Sequence, residues 1–128
     1  MSKIIINADD LGWSRGVNQG ILKAYRYGVV NSSSWIVTTP YFDETIKIIQ
    51  ENQLANIGIH INLTEGKPLL KNHTTIVDKK GYFIRNLHTL EHIDMKEVHD
   101  EIEAQIEKAL ATGVSINHMD THHCTSSN

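Results

Sequence analysis

Short β-branched apolar runs alternate with segments of helical periodicity along this chain, and that alternation limits the folds open to it. Residues 3–8, KIIINA, are apolar almost throughout, as a strand buried on both faces would be. Over 16–27 a helix is expected: Val17, Ile21, Ala24 and Tyr25 share one face, and Gly28 stands where a C-terminal cap is wanted. A second strand is expected over 29–39, ended by Pro40, and then a helix over 42–53 with Phe42, Ile46 and Ile49 as its stripe. Residues 56–64 read as a third strand, and 74–85 as a β-hairpin turning at Lys80 and Gly81. Asp94 heads a long helix, and Glu97 follows as in a capping box. Val98, Ile102, Ile106 and Ala109 form its stripe, Thr112 and Gly113 end it, and 114–120 are a fourth strand. The order βα, βα, β, hairpin, α, β predicts an α/β fold with a parallel sheet and right-handed crossovers.

A length of 128 residues supports a single domain, 1–128, and 40% hydrophobic residues suffice for a packed interior. The net charge is −3 with no basic block, which argues against nucleic acid as a partner. No apolar run approaches the roughly 20 residues that cross a bilayer, so no membrane partner is expected. The start, MSKIIINADD, is too short and acidic for a signal peptide. One cysteine, Cys124, excludes an intramolecular disulfide and fits a reducing cytoplasm. The sequence stops just past the fourth strand. Such a sheet would leave two parallel edges open and turn Ile5, Ile36, Ile59 and Ile116, or their alternating neighbours, toward water. A homo-oligomer, or a part of a longer protein, is therefore expected.

Parallel α/β proteins place their sites at the C-terminal ends of strands. The first expected strand ends in Asp9 and Asp10, the third carries His60, and the fourth ends in HMDTHH with His118, Asp120, His122 and His123. Two adjacent carboxylates repel unless a cation or a shared proton lies between them. In an extended chain His118, Asp120 and His122 point the same way. Two histidines and a carboxylate make a common catalytic metal site with a position open for water. One aspartate could then bind the ion while its neighbour, pointing elsewhere, serves as general base. Each piece has a plainer reading: a turn or cap for the aspartates, a hydrogen-bonded core residue for His60, a histidine-rich tail for HMDTHH. Their joint placement at strand ends favours a metal site. His88, His92 and His99 fall in or near a charge-rich helix and read as surface residues, and His73 lies in a polar loop with no partner in view.

The segments NADDLG, GVNQGI, GIHINLTEGKPL and NHMDTHH resemble, in order, the motifs of the YdjC-like carbohydrate deacetylases, which include chitooligosaccharide deacetylase. The resemblance runs from residue 4 to about residue 123. It implies a parallel-sheet (β/α) barrel of the glycoside hydrolase/deacetylase type, of which this chain is about the N-terminal half, with the hairpin near 74–85 as an insertion. It also implies metal-dependent hydrolysis of acetyl groups on N-acetylated mono- or oligosaccharides, through a metal-activated water. Carried over by motif position, Asp9 is the general base, and Asp10, His60 and His122 hold one divalent ion, Mg²⁺ or Zn²⁺. His118 and Asp120 then support and orient His122. The family pattern usually continues with a third histidine where Cys124 stands, and its chains are about twice as long. A truncated, inactive metal- and sugar-binding remnant is the alternative. Trp13 and Trp35 read as core or rim aromatics, with stacking on a sugar as the other possibility.

Overall fold

The computed structural model describes residues 3–124, apart from the side chains of His88 and Cys124. Four strands, β1 (Asn7–Leu11), β2 (Ser32–Trp35), β3 (Ile57–Ile61) and β4 (Ile116–Thr121), pair in parallel in the order β1-β2-β3-β4. Helices α1 (Arg15–Arg26), α2 (Phe42–Glu51) and α3 (Met95–Leu110) make the crossovers. This is the α/β class and parallel sheet expected, in the arrangement of successive βα units of a (β/α) barrel. Between β3 and α3 the expected hairpin is reduced to one antiparallel bridge, Val77 with Phe83. Its turn is held by Asp78, whose carboxylate accepts from the Lys80 and Tyr82 amides.

The two faces of the sheet differ in chemistry. Trp35, Ile57, Ile59 and Ile61 join Ile21, Ile49 and Ala109 of the helices in one apolar core. The opposite face carries Asn7, Ser34, His60, His118 and Asp120, linked to one another by hydrogen bonds. This corrects the expectation of an exposed isoleucine face. Ile36 and Ile59 are buried, Ile116 packs against the core, and of the four only Ile5 lies largely in water.

The first strand is also shifted from its expected place. Ile4, Ile5 and Ile6 are exposed, and Asn31 holds their backbone through Ile6 N–H (2.9 Å) and the Ile4 carbonyl (2.9 Å). Pairing with β2 starts only at Asn7. The run has strand propensity, but nothing among the described residues packs on it, and β-propensity reflects packing more than backbone preference.

Helix α3 is capped by Asp94, whose carboxylate accepts from the Lys96 amide (2.8 Å). Glu97 does not close a capping box. It reaches across to Thr74 and Thr75, accepting from both amides (2.6 and 2.8 Å) and both hydroxyls (2.8 Å each). Burial alone would raise its pKa, but these four donors outweigh that and lower it to about 2. The folded-state pKa lies below the unfolded value of 4.5, so the stabilisation is full above about pH 4.5 and fades as the pH falls toward 2. Glu97→Gln should therefore lower stability at neutral pH, and urea melts should show the difference from the parent shrinking across that acid window. A difference that stays constant with pH would contradict it.

The buried face of α3 is Glu101, Gln105 and Ala109, all fully buried, while Val98, Ile102 and Ile106 lie at its margin. The apolar stripe thus lies beside the truly buried line, because Glu101 is saturated inside the fold. Its carboxylate accepts from the Leu69 and Leu70 amides (2.9 and 3.1 Å) and from Gln105 Nε2 (2.8 Å), and pairs with His73 Nε2 (3.1 Å). His73, expected without a partner, is buried against it.

Candidate metal centre

Strand β1 reaches its end through an irregularity: the register with β2 slips between Ala8 and Leu11, and Asp10 adopts φ +67°. Regular strand residues alternate faces, and a bulge re-aims one of them. Both aspartates consequently meet the same face, where Asp9 clusters with His60 and Asp120, and Asp10 with His60 and His122. The expectation that one of the pair points elsewhere is corrected by this bulge. Gly12, just beyond, is the residue the bend requires. It has φ +90°, and a Cβ there would lie 2.8 Å from both the Ile36 carbonyl and the Trp35 ring. Asn18 of α1 pins the turn by accepting from the Gly12 amide (2.7 Å) and donating to Thr45 of α2 (3.1 Å).

Asp10 Oδ1 lies 3.3 Å from His60 Nε2 and 3.0 Å from His122 Nδ1. These contacts lack hydrogen-bond geometry: Asp10 Oδ1 and His122 Nε2 are buried with no hydrogen-bond partner among the described residues. One ligand atom from each of Asp10, His60 and His122 falls within 4.8 Å of the others. An unpartnered carboxylate oxygen of Asp10 meeting two imidazoles in a His₂–carboxylate set suits a divalent cation. Burial, then neighbouring His123, hold the His122 imidazole below its ordinary pKa, against the pull of Asp10. That direction favours the neutral imidazole, the form in which a histidine binds metal.

The family model for YdjC-like protein matches residues 3–127. The chain belongs to the YdjC-like family. It is 46% identical over 125 residues to carbohydrate deacetylase 1 of Listeria innocua serovar 6a, covering 94% of this chain and 51% of that protein. To the carbohydrate deacetylase of Thermoanaerobacter pseudethanolicus it is 41% identical over 126 residues, 96% of this chain and 51% of the relative. A solved structure from Enterococcus faecalis V583, described as a candidate cellobiose-phosphate cleavage protein, superposes with a TM-score of 0.89 at 36% identity, over 97% of this chain and 50% of that one. The chain spans about half the length of the curated relatives it matches.

In this YdjC-like chain the supporting residues are arranged differently from the expectation. Asp120 Oδ1 bonds His60 Nδ1 (2.6 Å), so it orients His60 and turns Nε2 toward Asp10, whereas it was expected to orient His122. The reason is register: β3 and β4 pair with His60 opposite Asp120, while β4 ends at Thr121 and His122 begins a short 3-10 turn. The second cluster, Asp9, His60 and Asp120, includes this hydrogen bond, so that nitrogen of His60 is already engaged. His118 lies over Gly58, where a Cβ would come within 2.4 Å of the imidazole, and contacts Ser34 Oγ at 3.3 Å. His122 packs against Trp13 (centroids 5.4 Å) and His123 (3.7 Å), and His123 Nδ1 meets Thr64 Oγ1 at 2.8 Å.

Sequence reasoning missed Asn7 and Ser34. Ser34 Oγ donates to Asp120 Oδ2 (2.5 Å) and accepts from Asn7 Nδ2 (2.7 Å), which also donates to Asp9 Oδ1 (2.8 Å). The signal was present in Ser32, Ser33 and Ser34, three small polar residues in a strand that must be buried. Trp35 is a core residue stacked on Phe42 (5.1 Å), and Trp13 stands at the rim of a cavity beside His122. His99 is on the surface, paired with Asp100, and the side chains of His88 and Cys124 lie outside the described residues.

Proposed function

We propose that this chain is the metal-holding part of a carbohydrate N-deacetylase, a cytoplasmic hydrolase of N-acetylated mono- or oligosaccharides. The observation that carries the reading is the convergence of Asp10, His60 and His122 beside Asp9, in a chain whose relatives are named carbohydrate deacetylases. Asp10, His60 and His122 would hold one divalent ion, with Zn²⁺ favoured by the two imidazoles and Mg²⁺ as second candidate. When bound, such an ion supplies Lewis acidity toward an acetyl carbonyl and the water that attacks it. Asp9 takes the proton of that water: Asn7 holds its Oδ1, and no described residue engages Oδ2. Asp120, held by Ser34, keeps the His60 ring in orientation. Addition of one water across the C–N bond, its oxygen going to the acyl carbon and its protons to the leaving nitrogen, yields acetate and an ammonium group.

A second reading is a metal- and sugar-binding unit without turnover, carried by the same Asp10, His60 and His122 cluster. We also propose that 1–128 is one domain, the N-terminal part of a deacetylase barrel, and that the exposed Ile4 and Ile5 beside the polar face are covered by a second copy or by further chain. No helix among the described residues is long and apolar enough to cross a membrane.

Acetate release from di-N-acetylchitobiose, measured alongside metal content, tests the assignment. Asp9→Asn should retain the metal and lose turnover, at a cost on the order of 10²–10⁴-fold for a missing general base. Asp10→Asn should lose metal affinity. The opposite pattern would reverse the two roles, and no acetate from the metal-loaded parent would leave the second reading standing.

A further inference from the structure

The long connection between β3 and α3 folds over a small cavity that the chemistry above does not use. It measures about 230 Å³ and is lined by Lys67, Lys71, Lys80 and His73, with Leu70 and Val77 beside them. Clefts that enclose whole small molecules run to about 300–1,000 Å³, so this one suits a small ion or one group of a larger molecule. No residue of the metal centre lines it.

Its walls are fixed in advance. Glu101 of α3 holds the Leu69 and Leu70 amides, and Glu97 holds those of Thr74 and Thr75. The turn opposite is closed by the Asp78 amide on the Tyr82 carbonyl (2.8 Å) and the Ile84 amide on the Ile76 carbonyl (3.0 Å). The lining is cationic. None of the three lysines has an ion-pair partner among the described residues, and Lys67 stands 4.9 Å over the Tyr82 ring. Asp78, the carboxylate of the turn, is taken up by the Lys80 and Tyr82 amides and does not line the cavity. Like charges gathered without a counter-charge attract an anion.

His73 narrows the choice of anion. Its side chain is almost wholly buried, Nε2 donates to the Glu101 carboxylate (3.1 Å), and Nδ1 is buried with no hydrogen-bond partner among the described residues. Nδ1 accepts an O–H when the ring is neutral and donates an N–H when it is protonated. Sulfate and carboxylate match only the second state. A phosphate group, with a second pKa of about 6, offers both O–H and O⁻ near neutral pH and matches either. We propose that this cavity binds a phosphate group, free or as a monoester, between Lys67, Lys71 and Lys80, with His73 Nδ1 as the discriminating contact. The proposal is independent of the deacetylase reading, since it rests on other residues and another measurement.

Calorimetric titration with inorganic phosphate, glucose 6-phosphate, glucose and sulfate at constant ionic strength tests it. Phosphate should bind saturably, with sulfate roughly tenfold weaker or more, and the nitrogen NMR signals of the His73 ring should shift in step. Lys71→Ala combined with Lys80→Ala, both at exposed positions, should weaken phosphate binding by roughly tenfold or more and keep the parent melting temperature. His60→Ala should bind phosphate as the parent does, which separates this site from phosphate captured at the metal centre. Tighter binding of glucose 6-phosphate than of inorganic phosphate, with no binding of glucose, would uphold the site and make a monoester its ligand; the reverse order would uphold it for free phosphate. Equal affinity for phosphate and sulfate, unmoved His73 signals, parent-like binding by the lysine variant, or loss of binding in His60→Ala would each overturn the proposal.

Discussion

His60→Ala should abolish stoichiometric binding of a divalent ion, and Asp120→Asn should weaken it by about 10- to 100-fold. His60 is the residue on which the two clusters converge: Nε2 faces Asp10 and Nδ1 is held by Asp120. Removing the ring deletes a ligand and leaves the Asp10 and Asp120 carboxylates facing one another with no cation between them. Asparagine at 120 can still accept a hydrogen bond from Nδ1, but it no longer carries the charge that makes His60 a stronger ligand. Zn²⁺ titration by calorimetry, with metal analysis after dialysis, separates the two. Unchanged metal content in His60→Ala would refute the site, and an Asp120→Asn affinity equal to that of the parent would remove Asp120 from its supporting role. His122→Ala belongs in the same series, because its Nδ1 faces Asp10 Oδ1 at 3.0 Å.

The largest effect on stability is expected at Glu101. Glu101→Ala should cost about 3–5 kcal/mol, the range for breaking a buried charged network by removing one member. The side chain is fully buried and satisfies two backbone amides in the connection after β3, Gln105, and His73. Each donor stranded without water or partner costs about 1–3 kcal/mol, and the residual cavity adds to it. For a chain of this length that corresponds to a fall in melting temperature on the order of 10–20 °C. Glu101→Gln keeps the volume but turns an amide toward donors, so it should recover only part of the loss. A change below about 1 kcal/mol for the alanine variant would mean that the 62–73 connection is held by something other than α3.

The sequence by itself determined the local features: alternating strands and helices, the approximate bounds of all but the first strand, the Asp94 cap, and the placement of Asp9, Asp10, His60 and His122 at or near strand ends. These follow from periodicity and residue type, which report how each segment divides between water and interior. Only the tertiary structure decided which groups meet. Asp120 serves His60 because β3 and β4 pair in that register across 60 residues of chain, and no local pattern encodes a register between distant strands. Asp9 and Asp10 share one face because a bulge breaks the alternation that sequence reasoning assumes. Ile4 to Ile6 read as part of a buried strand and are exposed, whereas Glu101 lies in a charge-rich helix and is fully buried. Apolarity predicts burial only where the fold supplies a neighbour, and a carboxylate can be buried only where the fold supplies its donors.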